Sequence, residues 1–351
     1  MKQWEKNIRK VVPYVPGEQP KEKNVIKLNT NENPYPPSPK VLAVKGDLEK
    51  LRFYPDPTAK DLVDAIAQYH DLQPEQVFVG VGSDDVLAMS FLTFFNSDKP
   101  IYFPDITYSF YDVWADLFKI PYETKKLNES FEIQKEDYYT PNGGVIFPNP
   151  NAPTGVLVTL DFIKDILDHN QDVVVIVDEA YIDFGGESAL SLISQYENLL
   201  VVRTFSKSRS MAGLRIGYAM GNAEMIKALN DVKYSYNSYT MNYPSIILGV
   251  ESIKDDIYFK DTVQKVIETR QWFKKELTRL GFTYPDSYSN FVFATHERVP
   301  AKYIFEKAKE NRIFVRYFNA PRINNYLRIS IGTGEEMETF VQFLEKVLSE
   351  A

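Results

Sequence analysis

The sequence predicts an α/β protein with a doubly wound, mainly parallel sheet in a large domain and a smaller α+β domain beside it. Three observations carry that expectation. Between residues 77 and 220, short apolar runs alternate with amphipathic stretches, the pattern of strand–helix units with helices on both faces of a sheet. Beyond about residue 222 the alternation gives way to longer helical periodicity, and residues 282–351 read as three strands covered by two helices. At 351 residues the chain suits one large core and a second, smaller one. The expected division is an N-terminal arm over 1–45 that forms part of the small domain, a large domain over 46–255 and a small domain over 256–351.

Residues 1–45 are dense in proline and asparagine, which excludes a long helix, while Tyr14, Leu28 and Tyr35 favour a strand or arm packed on the body. Residues 57–69 place Leu62, Ile66 and Tyr69 on one helical face. A strand over 77–79 ends in Gly80-Val81-Gly82-Ser83-Asp84-Asp85, with a helix expected over 86–95. Strand, glycine turn and helix N-terminus make a phosphate-ready site, because unpaired amides and the helix dipole point outward. Gly80 and Gly82 match the start of a dinucleotide fingerprint, but Asp85 stands at its last glycine, which argues against a dehydrogenase. Strands are expected next at 101–103, 144–147, 173–177, 199–203 and 216–220, with helices at 108–117, 160–168 and 190–196. Ligands of such sheets bind at the carboxyl ends of the strands. Helices are then expected at 223–231 and at 245–280, the second broken near Asp255-Asp256. The small domain has expected strands at 290–294, 313–317 and 326–331 and helices at 301–311 and 335–349.

Composition narrows the chemistry. A formal charge of −8 argues against general nucleic-acid binding but not against an anionic substrate in a locally basic pocket. With no cysteine there is no disulfide, thiolate metal site or cysteine nucleophile. His70, His169 and His296 stand at no ligand spacing, so no metal is expected. The first ten residues lack a signal peptide's apolar segment and no stretch approaches transmembrane length, so a cytoplasmic chain without membrane contact is expected.

Three strand ends carry the reactive residues. Asn151 lies in Pro148-Asn149-Pro150-Asn151-Ala152-Pro153-Thr154-Gly155, Asp178 in Asp178-Glu179-Ala180-Tyr181, and Lys207 in Thr204-Phe205-Ser206-Lys207-Ser208, with Arg215 eight residues on. Singly, a strand-end lysine is usually solvated and a strand-end aspartate usually caps a helix or a turn. Together they are the set pyridoxal phosphate needs. A lysine holds its aldehyde as a Schiff base and an aspartate keeps its ring nitrogen protonated. Hydroxyls and an arginine hold the phosphate.

The order Asn-x-Pro-Thr-Gly, Asp-x-x-Tyr, Ser-Lys, Arg resembles that of the pyridoxal-phosphate-dependent aminotransferases of the aspartate-aminotransferase fold, over nearly the whole chain. The resemblance implies that Lys207 also shuttles the proton, that Asp178 pairs with the ring nitrogen and that Tyr181 bonds the ring oxygen O3′. Tyr108 would stack on the ring. The phosphate would take amides of Gly82, Ser83 and Asp84, hydroxyls of Thr204 and Ser206, and Arg215. Ala152 stands where the family has an asparagine bonded to O3′, so that role is carried to Asn151. Arg328, mid-strand in Tyr326-Leu327-Arg328-Ile329, matches the arginine that takes the substrate carboxylate.

Three features are similar to one subfamily, the histidinol-phosphate aminotransferases: the opening Val12-Pro13-Tyr14-Val15-Pro16-Gly17 with Leu28-Asn29-Thr30-Asn31-Glu32-Asn33-Pro34, the segment Arg52-Phe53-Tyr54-Pro55-Asp56-Pro57, and Arg316. That likeness implies a homodimer with shared sites in which Tyr54 reaches the cofactor of the neighbouring subunit. Histidinol phosphate and glutamate or 2-oxoglutarate would be the substrates, in histidine biosynthesis, with Arg328, Arg316, Tyr14 and Asn33 in contact with them. Aromatic aminotransferases and threonine-phosphate decarboxylases share much of the pattern and remain alternatives. A cofactor-binding regulator would need an added DNA-binding module, and no segment reads as one.

Overall fold

The computed structural model describes residues 3–350. In chain order, the first half forms β1 (Ile26–Leu28), α1 (Pro39–Leu42), α2 (Lys60–Tyr69), β2 (Val77–Gly80), α3 (Gly82–Phe94), β3 (Ile101–Pro104), α4 (Tyr111–Phe118), β4 (Tyr122–Lys125), β5 (Val145–Pro148), α5 (Leu160–His169) and β6 (Val175–Asp178). The second half forms β7 (Leu199–Thr204), β8 (Gly217–Met220), α6 (Ala223–Tyr236), α7 (Tyr243–Lys254), α8 (Asp256–Arg279), β9 (Phe282–Thr283), β10 (Phe291–His296), α9 (Ala301–Glu310), β11 (Ile313–Tyr317), β12 (Leu327–Ser330) and α10 (Gly334–Glu350).

Alternation along the central strands builds the large domain. Phe147, Val175, Val177 and Val201 point into one apolar layer; Ile146, Ile176, Leu200 and Val202 point into the opposite one. Both faces are covered by helices, so these strands read as unbroken apolar runs. The sheet order is β2-β8-β7-β6-β5-β3-β4, parallel from β7 to β4, with β8 antiparallel to both β7 and β2. A second sheet, β1-β11-β12-β10-β9, packs Phe291 and Ile329 with Phe273 and Phe340 of α8 and α10 into its own core. The arm enters this sheet: β1 lies parallel to β11, with Leu28 buried.

Several expectations shift. α3 starts at Gly82, not at 86, because Ser83-Asp84-Asp85 is a favourable first turn whose acids face the positive end of the helix dipole. α4 starts at Tyr111, not at 108, since the Tyr108 hydroxyl is held by Asp84 and the chain turns before it can coil. The expected helix over 190–196 is only a 3-10 turn, Ala189–Leu192, because the chain must straighten into β7 at Leu199. β4 escaped the sequence reading because an exposed edge strand of sequence Tyr-Glu-Thr-Lys carries no apolar alternation. The expected break at Asp255-Asp256 separates α7 from α8. Among the described residues no helix is long and apolar enough to cross a membrane.

Candidate active site

Two adjoining cavities of about 160 and 150 Å³ open at the carboxyl ends of β5 to β7 and share Thr30, Tyr108, Ala152, Tyr181 and Lys207. A larger surface hollow of about 730 Å³, lined by Asp168, Asp172, Tyr196 and Asn198, lies at the amino ends of β6 and β7, where the fold places no ligand.

The first cavity gathers Ser83, Asp84, Asp178, Ser206 and Arg215 around the shared residues. Asp178 ends β6 and is buried, its oxygens accepting the Tyr111 hydroxyl at 3.0 Å and the Ala180 amide at 3.2 Å. Burial raises its carboxyl to about 6, with those two hydrogen bonds opposing the rise. Lys207 extends its Nζ to the Thr30 carbonyl at 3.2 Å, 5.8 Å from the centre of the Tyr181 ring. Asn31 Nδ2 donates to the Tyr181 hydroxyl at 2.9 Å, which leaves that hydroxyl's own proton free. Arg215, in the left-handed region at φ 54°, pairs with Asp84 at 2.7 Å. The other oxygen of Asp84 accepts the Tyr108 hydroxyl at 2.6 Å, so one carboxylate braces both side chains. No side chain caps the first turn of α3, so its amides are unclaimed.

The second cavity is lined by Tyr14, Arg316 and Arg328 as well as the shared Lys207, and by no carboxylate. Arg316 and Arg328 face each other directly across β11 and β12. Like charges so placed repel unless an anion lies between them. Burial lowers the affinity of the Arg328 guanidinium for its proton, the neighbouring Arg316 adds to that effect, and its Nε has no hydrogen-bond partner. Tyr14 stacks on Phe110 with ring centres 4.1 Å apart.

Other expected residues stand elsewhere. The geometry corrects the role given to Asn151: its Nδ2 donates to the Ile106 carbonyl and to Thr154 Oγ1, both at 3.0 Å, and its Oδ1 accepts Thr107 Oγ1. It braces its loop while Ala152 faces the cavity. Asn33 is likewise not at the substrate cavity; its Nδ2 donates to the Lys207 and Ser208 carbonyls. Gly82 and Thr204 are not among the lining residues: Thr204 Oγ1 donates to Ser206 Oγ at 3.0 Å, and a Cβ on Gly82 would lie 2.6 Å from the Arg215 guanidinium. Tyr54 is 81% exposed and packs on Tyr239, away from this chain's cavities. Sequence reasoning missed Tyr111, Thr30 and Glu32. Tyr111 had no signal beyond its helical position; Thr30 and Glu32 carry no local signal in a segment dense in asparagine and proline.

The aminotransferase class I and II family matches residues 23–344, and the chain belongs to that family. The chain is 53% identical to the histidinol-phosphate aminotransferase of Clostridium botulinum strain Okra over 350 residues, 99% of each chain. It is 50% identical to the histidinol-phosphate aminotransferase of Lactococcus lactis subsp. cremoris over 98% of each. Among solved structures, the histidinol-phosphate aminotransferase of Clostridium acetobutylicum has the same fold, with a TM-score of 0.86 at 22% identity, covering 93% of this chain and all of that one. The enzyme of Sinorhizobium meliloti, solved in complex with pyridoxal-5′-phosphate, superposes with a TM-score of 0.84 at 22% identity, over 93% of this chain and 91% of that one.

Proposed function

We propose that this protein is a pyridoxal-phosphate-dependent transaminase that takes the amine of L-histidinol phosphate, leaving imidazole-acetol phosphate, and passes it to 2-oxoglutarate to give glutamate. The first cavity fits the cofactor. A buried carboxylate with no cationic partner suits a protonated ring nitrogen, and uncapped helix amides beside Arg215 and Ser206 suit a phosphate. Pyridoxal phosphate, when bound, supplies an electron sink for charge developing at the substrate's amine-bearing carbon.

The chain's own groups do the rest. Asp178 would keep the ring nitrogen protonated, and the Tyr181 hydroxyl would donate a hydrogen bond to the ring oxygen. Lys207 Nζ takes the proton that leaves the substrate carbon and later returns it. Arg215, Ser206 Oγ and the amides of Ser83 and Asp84 would anchor the phosphate, and Tyr108 would cover the ring.

The observation that carries the substrate is the facing pair Arg316 and Arg328 in a cavity lined by no acid. A phosphate on one donor and a second carboxylate on the other can share such a pair, with Tyr14 at the entrance. Losing one charge-assisted contact costs about 1.5–3 kcal/mol, roughly tenfold to a hundredfold. Arg316→Ala should therefore lower kcat/KM for histidinol phosphate by that factor and change that for phenylalanine, whose side chain has no anion, less than about threefold. Equal losses for the two donors would make Arg316 structural and favour an aromatic aminotransferase.

A further inference from the structure

Resting on the reading of Lys207 as the cofactor's lysine, we propose that Asn33 is a positioning residue that holds the Lys207 backbone from behind. Its Nδ2 donates to the Lys207 carbonyl at 3.2 Å and to the Ser208 carbonyl at 3.1 Å, while its Oδ1 accepts the Tyr35 amide at 3.0 Å. Both N–H donors of the amide are therefore spent on this loop, and none is left to aim at a substrate.

The clamp belongs to a short segment that holds the lysine at both ends. Three residues before Asn33, the Thr30 carbonyl receives the Lys207 amine. Between them Asn31, in the left-handed region at φ 55°, is fastened to the small domain: its amide donates to Ser330 Oγ and its carbonyl accepts Asn290 Nδ2, each at 2.9 Å. The same Asn31 side chain donates to the Tyr181 hydroxyl. Residues 30–33 thus tie the small domain's sheet to the lysine and to the tyrosine across the cavity.

The need for a clamp follows from where Lys207 sits. It lies past the end of β7, outside the ladder that holds Leu199–Thr204. Among the described residues, its carbonyl accepts one backbone partner, the Ser210 amide at 3.3 Å, which belongs to the same loop. Ser208 gains a second hold because its hydroxyl donates to Asp183 at 2.6 Å. Asn33 supplies the tie to Lys207 that comes from outside the loop. A lysine that must both carry a cofactor and return a proton to one face of a carbon tolerates little drift, since a misplacement of about 1 Å can cost a hundredfold in rate.

Two variants separate the donor from the acceptor. Asn33→Asp keeps an acceptor for the Tyr35 amide, Asn33→Leu keeps neither, and both remove the donor. Apo protein is mixed with pyridoxal phosphate and its covalent capture followed by the visible band and by borohydride trapping. Pyridoxamine phosphate, which has an amine in place of the aldehyde and cannot join the lysine, is titrated in parallel. In both variants capture should slow by about tenfold and kcat fall by about tenfold or more. Pyridoxamine phosphate affinity and KM should stay within about twofold, because the phosphate and ring contacts are untouched. If Asn33→Asp captures pyridoxal phosphate and turns over like wild type, the clamp does not exist. If affinity for both compounds and the melting temperature fall together in both variants, Asn33 is a fold residue and the inference is overturned. Wild-type protein that no borohydride bleaches would instead overturn the assignment of Lys207, and this inference with it.

Discussion

Burial lifts the Asp178 carboxyl from 3.8 to about 6, with the Tyr111 hydroxyl and the Ala180 amide pulling the other way. A carboxyl raised in this way binds its proton more tightly folded than unfolded, so its contribution to stability is largest in acid and falls as pH climbs through that window. The loss amounts to about 3 kcal/mol by pH 7. Protein stripped of cofactor should accordingly be stabilised by Asp178→Asn at pH 7, by up to that amount, and hardly changed at pH 4, while cofactor affinity is lost at pH 7. Denaturant melts at the two pH values measure the difference. An equal effect at both would mean that burial is not what strains this carboxylate. The sequence showed Asp178 plainly, as an acid closing an apolar run. Tyr111 was not legible, because a tyrosine on a helix declares nothing until tertiary packing brings its hydroxyl to an acid 67 residues away.

At the scale of elements, the proposed phosphate end of the site depends on how closely α3 approaches β8. A Cβ on Gly217 would lie 2.3 Å from the backbone of Gly82 and Ser83. Neither atom can swing aside as a side-chain tip could. Gly217→Ala should push the first turn of α3 off the strand, destabilise the fold by about 1–3 kcal/mol, and weaken pyridoxal phosphate binding about tenfold or more. Gly213→Ala, whose Cβ meets nothing within 4 Å, is the control and should stay within about 0.5 kcal/mol of wild type. Unchanged cofactor affinity in Gly217→Ala would separate the helix amides from the phosphate. The glycine turn before α3 was visible in the sequence as a phosphate site. Gly217 was not, since its demand comes from a helix that follows a different strand.

Across the whole molecule, Leu42, Leu48, Leu51, Phe53 and Tyr54 are exposed apolar side chains set among the charged residues of segment 42–54. In the dimer that the proposed function implies, these side chains would meet a covering surface. A second copy of the chain, receiving Tyr54 at its own phosphate end, would supply it. Mixing Tyr54→Ala with Lys207→Ala chains should then yield hybrids with one intact and one doubly damaged site, and activity above either parent. No rise, in hybrids shown by mass to have formed, would mean that each subunit is self-sufficient.

The residues that speak for themselves in the sequence are those whose chemistry is tied to local pattern. Lys207, Asp178 and Arg215 follow or precede apolar strands, and a buried parallel strand needs an unbroken run of Val, Ile and Leu on both faces. The doubly wound sheet and the carboxyl-end site were therefore readable in one dimension. What only the tertiary structure decided is which polar side chains turn inward. Asn151 and Ala152 are neighbours, yet hydrogen bonds to Thr154 in its own loop and to Ile106 and Thr107 after β3 claim the asparagine and leave the alanine to the cavity. Asn33 and Thr30 come from the arm and meet Lys207 across more than 170 residues. Those pairings depend on where buried donors find acceptors, and a sequence records the donors but not the distances.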